Sequence, residues 1–397
     1  MQMENMLAER TRRMGTNAIR EILKVVARPG MVSLAGGIPA PESFPLDIIR
    51  ELSDRVLAAH GTAALQYDVT EGFFPLRQAL VEHLEKKGIQ VTADEILVTS
   101  GSQGVLDAAG KILINRNDRV AVEAPTYLGA LQAFAPYEPQ YACLATDGEG
   151  LIPEAIEEEL SRRPVRLVYL VPTFQNPTGR TLPLARRVEI ARIIRKFNVL
   201  LVEDDPYSDL RYRGEHLPPI RKFAPEHVIY VSTLSKVFAP GLRIGFCVAP
   251  PAIRSWLVRV KQGVDLHTSS FNQALAAEYL SGGHLDRHLP GILSLYKPRQ
   301  EAMLSALERY FPTDFSWSRP EGGMFIWAEG PETADIDTIY NNALARQTAF
   351  VPGKYFYPVP GPGQATMRLN YTMADEATID RAIRTLGEVI RENLANA

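Results

Sequence analysis

The sequence predicts an α/β protein in which a mostly parallel sheet, covered by helices on both faces, is followed by a smaller α+β unit. Three observations predict it. From about Ala93 to Pro250, short apolar runs alternate with amphipathic stretches, as in strands buried on both faces and joined by crossover helices. After about Gly291 the pattern changes to one long helix, scattered short strands and a last helix. At roughly 150 residues per domain, a chain of 397 residues with 46% hydrophobic and 22% charged composition allows two or three units with proper cores.

The elements follow in order. An arm and a helix over Asn17–Ala27 end at the breaker Arg28-Pro29-Gly30. A turn-rich loop, Leu34-Ala-Gly-Gly-Ile-Pro-Ala-Pro-Glu-Ser-Phe-Pro45, leads into a helix from about Leu46 to Ala59. The expected sheet strands are Ile96–Thr99, Val120–Glu123, Leu167–Val171, Val199–Glu203, Val228–Ser232 and Ile244–Ala249, all apolar and poor in charge. Helical patterns lie between them at Gln103–Ile114, near Tyr127–Phe134 and at Pro183–Phe197. A helix over Leu293–Tyr310 then precedes strands at Phe315–Arg319, Met324–Ala328, Ala349–Pro352 and Thr366–Tyr371, and a helix from Ala374. The expected division is an arm over 1–45 that joins the small domain, a large domain over 46–290 and a small domain over 291–397.

Composition removes several functions. With 43 Lys+Arg against 46 Asp+Glu, a charge of −3 gives no general attraction to nucleic acid or to a membrane surface, although it leaves a local basic patch open. Cys143 and Cys247 cannot build a disulfide framework or a C-x-x-C knuckle. No apolar run approaches the roughly 20 residues of a membrane span, and Met1–Arg13 has no apolar segment behind its charges. A cytoplasmic enzyme is the expectation. His284 and His288 share the i, i+4 spacing of a metal pair but lack the H-E-x-x-H glutamate. They read as the solvated face of a helix starting at Gly282-Gly283, and no metal is expected.

In such sheets, ligands sit beyond the carboxyl ends of the strands. The first strand ends in Ser100-Gly-Ser-Gln-Gly104, where small residues at a helix start let backbone N–H groups meet an anion. The next end at Ala-Pro-Thr-Tyr127, at Gln175-Asn176-Pro-Thr-Gly179 and at Asp204-Asp205-Pro-Tyr207. The fifth ends at Thr233-Leu-Ser235-Lys236, with Arg243 shortly after. Taken singly, each has a plain structural reading: a capped turn, a core tyrosine, a snorkelling lysine. Topology, however, brings all five to one crevice. An amine, an arginine, a carboxylate, an amide, tyrosines and hydroxyls together match pyridoxal 5′-phosphate (PLP). That cofactor needs a lysine, an acid for its ring nitrogen, a stacking partner and a phosphate cradle.

The motifs resemble those of class I/II aminotransferases, PLP enzymes of fold type I, and are most similar to the branch of 2-aminoadipate aminotransferase, kynurenine aminotransferase II and archaeal aromatic aminotransferases. In order they are Ile19-Arg-Glu21, Leu34-Ala-Gly-Gly-Ile-Pro39, Leu65-Gln-Tyr67, Thr70-Glu-Gly72, Thr99-Ser-Gly-Ser-Gln103, Glu123-Ala-Pro-Thr-Tyr127, Gln175-Asn-Pro-Thr-Gly179, Val202-Glu-Asp-Asp-Pro-Tyr207, Ser235-Lys236 with Gly241-Leu-Arg-Ile-Gly245, Pro320-Glu-Gly-Gly-Met-Phe325 and Met367-Arg-Leu-Asn-Tyr371.

The resemblance implies a seven-stranded sheet and a set of roles. Lys236 condenses with PLP and then moves the proton between Cα and C4′. Asp204 pairs with the ring nitrogen, Asn176 and Tyr207 bond the ring O3′, and Tyr127 stacks on the ring. Ser102, Gln103, Ser235 and Arg243 hold the phosphate, with Thr233 where many relatives have Ser. Arg368 forks onto the substrate α-carboxylate, a bidentate contact that Lys cannot copy. Asn176 also touches substrate. Arg20, on a mobile capping helix, meets a side-chain carboxylate, and Gly37 faces the substrate. Tyr67 comes from the neighbouring subunit of a homodimer and serves both cofactor and substrate.

The implied reaction is ping-pong transamination between an L-amino acid (2-aminoadipate, aromatic or branched/aliphatic) and a 2-oxo acid, 2-oxoglutarate. Other enzymes share the fold: aspartate or valine–pyruvate aminotransferases, decarboxylases and C–S lyases. A DNA-binding regulator is not expected, because about thirty residues precede Leu34 and these are too few for a winged-helix module.

Overall fold

The computed structural model describes residues 6–14 and 30–395. The expected helix at Asn17–Ala27, and Arg20 with it, lie outside the described residues. Val32–Ser33 form a short strand (β1), followed by helices Leu46–His60 (α1) and Phe74–Lys86 (α2). Helix α1 buries Leu52 and Val56, one turn apart, and stops at Gly61, whose φ of +51° a side chain would resist.

Strand Ile96–Ser100 (β2) leads into helix Ser102–Leu113 (α3), Arg119–Glu123 (β3) into Leu128–Phe134 (α4), and Gln140–Leu144 (β4) into a hairpin of Thr146–Asp147 (β5) and Gly150–Leu151 (β6). Helix Pro153–Arg162 (α5), strand Leu167–Leu170 (β7), helix Leu184–Phe197 (α6), and strands Leu200–Asp204 (β8), Val228–Thr233 (β9) and Ile244–Val248 (β10) complete the sheet. Its order is β2-β10-β9-β8-β7-β3-β4, seven strands with β10 alone reversed. The reversal has a simple cause. Residues 234–243 join β9 to β10 without a crossover helix, and a parallel return needs a longer connection.

The two faces of the sheet can be read from alternate residues. Leu167 and Tyr169 join a cluster with Val105 and Phe246 on one side, while Val168 and Leu170 pack with Ile190 and Ile194 on the other. Strand β4 was missing from the expected set. It is an edge strand that buries Ala142 and Leu144 and exposes Cys143, so it carries no continuous apolar run.

Helices Pro251–Asp265 (α7) and Ser270–Ser281 (α8) precede His284–Tyr310 (α9). Helix α9 starts earlier than the expected Leu293, so the division at 290/291 falls inside it. Its Leu285, Ile292 and Tyr296 belong to the large core, and its Met303, Ala306 and Leu307 to the next one. His284 and His288 are not on a solvated face. His284 is buried and its ring stacks with that of Tyr279, whose hydroxyl lies 2.7 Å from Nδ1 of His288. The burial of Tyr279 beneath the start of α9 draws both histidines inward.

The remainder is Ser316–Trp317 (β11), Phe325–Glu329 (β12), helix Ile336–Ala345 (α10), Thr348–Ala349 (β13), Val351–Pro352 (β14), Thr366–Asn370 (β15) and helix Glu376–Ala395 (α11). An antiparallel sheet in the order β11-β12-β15-β14 packs Ile326, Ala328, Met367 and Leu369 against Ile379, Ile383 and Leu386 of α11. The arm is tied to this part, since β1 pairs in parallel with β13. Among the described residues, no helix is long and apolar enough to cross a membrane.

Candidate active site

The ends of β2, β3, β7, β8 and β9 converge on a cavity of about 430 Å³. It is lined by Gly37, Ser102, Gln103, Tyr127, Asn176, Asp204, Tyr207, Thr233, Ser235, Lys236, Arg243 and Arg368. Strand geometry explains the convergence: parallel strands deliver their carboxyl-end loops to one edge. A larger cavity of about 580 Å³ lies between Gly179–Thr181 and Ser316–Arg319 and contains none of these residues. Chemistry, not size, selects the smaller one.

Asp204 is the last residue of β8 and is 2% exposed. The Tyr169 hydroxyl donates to its Oδ2 at 2.8 Å, whereas Oδ1 is buried and has no partner. Burial pushes this carboxyl up to about 7, with the Tyr169 hydrogen bond opposing the rise and neighbouring Asp205 adding to it. A buried carboxylate oxygen without a donor is costly. A protonated ring nitrogen is the kind of group that would meet it.

Lys236 follows β9 and donates from Nζ to the Gly37 carbonyl at 2.9 Å. Burial, with the charges of Arg368 and Arg243 nearby, lowers its pKa to about 8. About a tenth of the amine is then neutral and nucleophilic at pH 7, far more than for a free lysine. Asn176 lies in the loop after β7; its Nδ2 is 3.5 Å from the Tyr207 hydroxyl and its Oδ1 accepts from Arg368 Nη1 at 2.8 Å. Arg368, on β15, is 3% exposed and also donates from Nη2 to the Ala35 carbonyl at 2.6 Å. Its guanidinium lies over the rings of Phe325 and Phe356, 4.3 and 4.9 Å from their centroids. Burial lowers its pKa to about 10, so it remains a cation. Its Nε is buried without a partner, and no carboxylate among the described residues pairs with it.

The anion cradle is built around β2 and α3. Gly101 caps α3 with φ +80°, and a Cβ there would lie 2.2 Å from Nη2 of Arg243. Only glycine lets the guanidinium come this close to the helix N-terminus. Arg243 itself sits at φ +55° and is 3.4 Å from the Ser100 carbonyl. The Gln103 side chain donates to the Gly129 carbonyl at 2.7 Å. What Gln103 can offer an anion is thus its backbone N–H in the first helical turn, beside the N–H and hydroxyl of Ser102. Gly129 also makes room for the Tyr127 ring, which a Cβ would approach to 2.3 Å. Thr233 donates to the Ile244 carbonyl at 2.8 Å and accepts the Ser235 N–H at 3.1 Å, so its hydroxyl orients the Ser235 turn.

Tyr67, expected to come from the neighbouring subunit, does not line the crevice of its own chain. Tyr67 is 77% exposed, with its ring edge against His267. Sequence reasoning missed Tyr169, Phe325 and Phe356, as well as Ile38, Leu128 and Gln132 of the cavity wall. A usable signal existed for one of them. A tyrosine inside the apolar run Leu-Val-Tyr-Leu needs a partner for its hydroxyl. The residues fit PLP: an orphaned acidic oxygen for the ring nitrogen, a desolvated amine, and a cradle that a Cβ would fill.

The sequence matches the family Aminotransferase class I and II over residues 30–386. It is 44% identical to aromatic-amino-acid aminotransferase 1 of Thermococcus litoralis, over 98% of this chain and 95% of that protein. It is 40% identical to the 2-aminoadipate transaminase of Thermus thermophilus, over 96% of each. The crystal structure of the alpha-aminoadipate aminotransferase of Thermus thermophilus, complexed with N-(5′-phosphopyridoxyl)-L-leucine, is similar with a TM-score of 0.93 at 38% identity, covering 100% of both chains. Sequence, fold and crevice agree: this chain belongs to the class I and II aminotransferases and is a PLP-dependent transaminase of fold type I.

Proposed function

We propose that the enzyme moves the amino group of an L-amino acid to 2-oxoglutarate by a ping-pong route, with 2-aminoadipate and aromatic or branched/aliphatic amino acids as donors. The observation that carries this reading is Arg368, a buried cation with an unpartnered Nε in the same cavity as the desolvated Lys236. A buried guanidinium facing a lysine amine is suited to hold an α-carboxylate while the amine works at Cα. The names of the relatives, aromatic and 2-aminoadipate transaminases, support the same donors.

In this reading PLP, when bound, supplies an electron sink for the charge left as the Cα–H bond breaks. The remaining work belongs to the chain. Arg368 would grip the carboxylate and fix its orientation, so that the Cα–H bond and not the carboxylate bond is the one presented for cleavage. Lys236 Nζ would take the Cα proton and act as the acid that gives it back. Asp204 Oδ1 keeps the ring nitrogen protonated, and Asn176 and Tyr207 hold the ring oxygen. Tyr127 covers the ring, while Ser102, Gln103, Ser235 and Arg243 anchor the phosphate.

The working unit is proposed to be a homodimer, with Tyr67 reaching the partner's cavity. Its support is a set of exposed apolar residues on one stretch of chain, Leu65, Tyr67 and Val69, and on another, Val264 and Leu266. Arg20 is assigned to the side-chain carboxylate of acidic donors. A panel of amino donors, each followed in the half-reaction with PLP-loaded enzyme in the absence of any 2-oxo acid and repeated with Arg20→Ala, tests the assignment. Loss for 2-aminoadipate and glutamate but not for leucine or phenylalanine is expected. Equal losses across the panel remove Arg20 from that role, and donors that leave the bound cofactor unconverted overturn the transamination proposed for them.

A further inference from the structure

Tyr169 has a hydroxyl in a place where packing alone calls for phenylalanine. It lies on β7, is fully buried, and stands opposite Val202 in the pairing with β8. Asp204, two residues beyond Val202, therefore points to the same face. The ring is held edge-on by Phe134, with centroids 6.0 Å apart. Its hydroxyl donates to Asp204 Oδ2 at 2.8 Å, and Oδ1 is left as the one buried carboxylate oxygen without a donor among the described residues.

We propose that Tyr169 is a positioning residue that acts through Asp204: by occupying Oδ2 it fixes Oδ1 as the oxygen facing the cofactor ring nitrogen and keeps the shared proton on the ring. This rests on the pairing of Asp204 with that nitrogen. Two effects combine. A carboxylate with one oxygen tied cannot rotate about its Cβ–Cγ bond to offer the other, so the contact with the ring has one geometry. A hydrogen bond donated to a carboxylate also stabilises its ionised form and weakens it as a base. The proton between Oδ1 and the ring then remains on nitrogen, where it makes the ring a better electron acceptor. The other groups acting on Asp204 are the Asp205 carboxylate, next in the chain, and the hydroxyls of Tyr127 and Tyr207. Asp205 pushes the other way, and its carboxylate is itself held by Tyr230 and Ser208 at 2.6 and 2.7 Å.

The test uses holoenzyme loaded with PLP carrying ¹⁵N in the ring. The ring ¹⁵N resonance and the cofactor dissociation constant are measured for the wild type and for Tyr169→Phe, Asp204→Asn and Phe134→Leu. Tyr169→Phe is expected to move the resonance part of the way from the wild-type position toward that of Asp204→Asn. It should also weaken cofactor binding by about tenfold, the usual worth of a hydrogen bond to a charged group. Phe134→Leu is expected to lower Tm while leaving the resonance in place, because it disturbs packing and not the donor. If Asp204→Asn moves the resonance and Tyr169→Phe does not, the positioning role is wrong whatever happens to Tm. If Asp204→Asn also leaves it unmoved, the pairing of Asp204 with the ring nitrogen fails first.

Discussion

Asp204, Lys236 and Ser102 hang from the carboxyl ends of strands in the central sheet, whereas Gly37, Ile38 and Gln132 enter the same cavity from a loop and the outer side of a short helix. Asp204 is 2% exposed and Ile38 is 48% exposed. Side chains on strand ends are fixed by the sheet's own hydrogen bonds, and sites built there are more exact than sites on loops. The groups that any transamination needs thus occupy the rigid end of the crevice. The residues of the mouth, which are proposed to meet a variable substrate side chain, occupy the other. Arg368 bridges the two, reaching from β15 to Asn176 and to the Ala35 carbonyl.

Substitutions at the rigid end should therefore cost far more than those at the mouth. Lys236→Ala is expected to cut transamination by about 10³-fold or more, measured as single-turnover conversion of a bound amino donor. Arg368→Lys keeps the charge but loses the fork, and kcat/KM should fall about 10²-fold, read for donor and 2-oxo acid alike. A loss confined to one of them would detach Arg368 from the α-carboxylate.

The buried acids give the third prediction, in stability. The Asp204 carboxyl is raised to about 7 and that of Glu123 to about 8, both chiefly by burial. In each case the unfolded chain loses its proton at lower pH than the folded chain. The folded state then holds more protons, and stability falls as pH rises from the ordinary carboxylate range through these values. Without cofactor these two groups should contribute less stability at pH 8 than at pH 5. Asp204→Asn should recover on the order of 2 kcal/mol at pH 8, by urea unfolding of the cofactor-free protein. With PLP bound the sign should reverse, since the ring then supplies the missing partner.

The smallest effect belongs to the mouth. Ile38→Ala should change kcat/KM for aromatic donors by less than about tenfold and leave glutamate unchanged, in a donor panel. A loss as deep as that of Arg368→Lys would erase the difference between the two ends.

The sheet was legible because five of its strands are continuous apolar runs ending in polar or glycine-rich turns, and those turns carry the crevice. Edge strand β4 was not, because it alternates. The helices expected at Gly282-Gly283 and at Leu293 are one helix, α9, because Pro290 lies inside it, where proline usually marks an end. Local pattern cannot show what crosses between distant segments. The hydrogen bond from Tyr169 to Asp204 and the Phe325 and Phe356 rings beside Arg368 depend on register and packing.

Most direct is the identification of the lysine that binds the cofactor. Borohydride reduction of the holoenzyme fixes the pyridoxyl group to its amine, and peptide mass mapping then locates it. The expected result is a single modified peptide containing Lys236, lost in Lys236→Ala. Modification of another lysine, such as the buried Lys261 paired with Asp265, or no modification at all, would contradict the assignment of this crevice as the site of transamination.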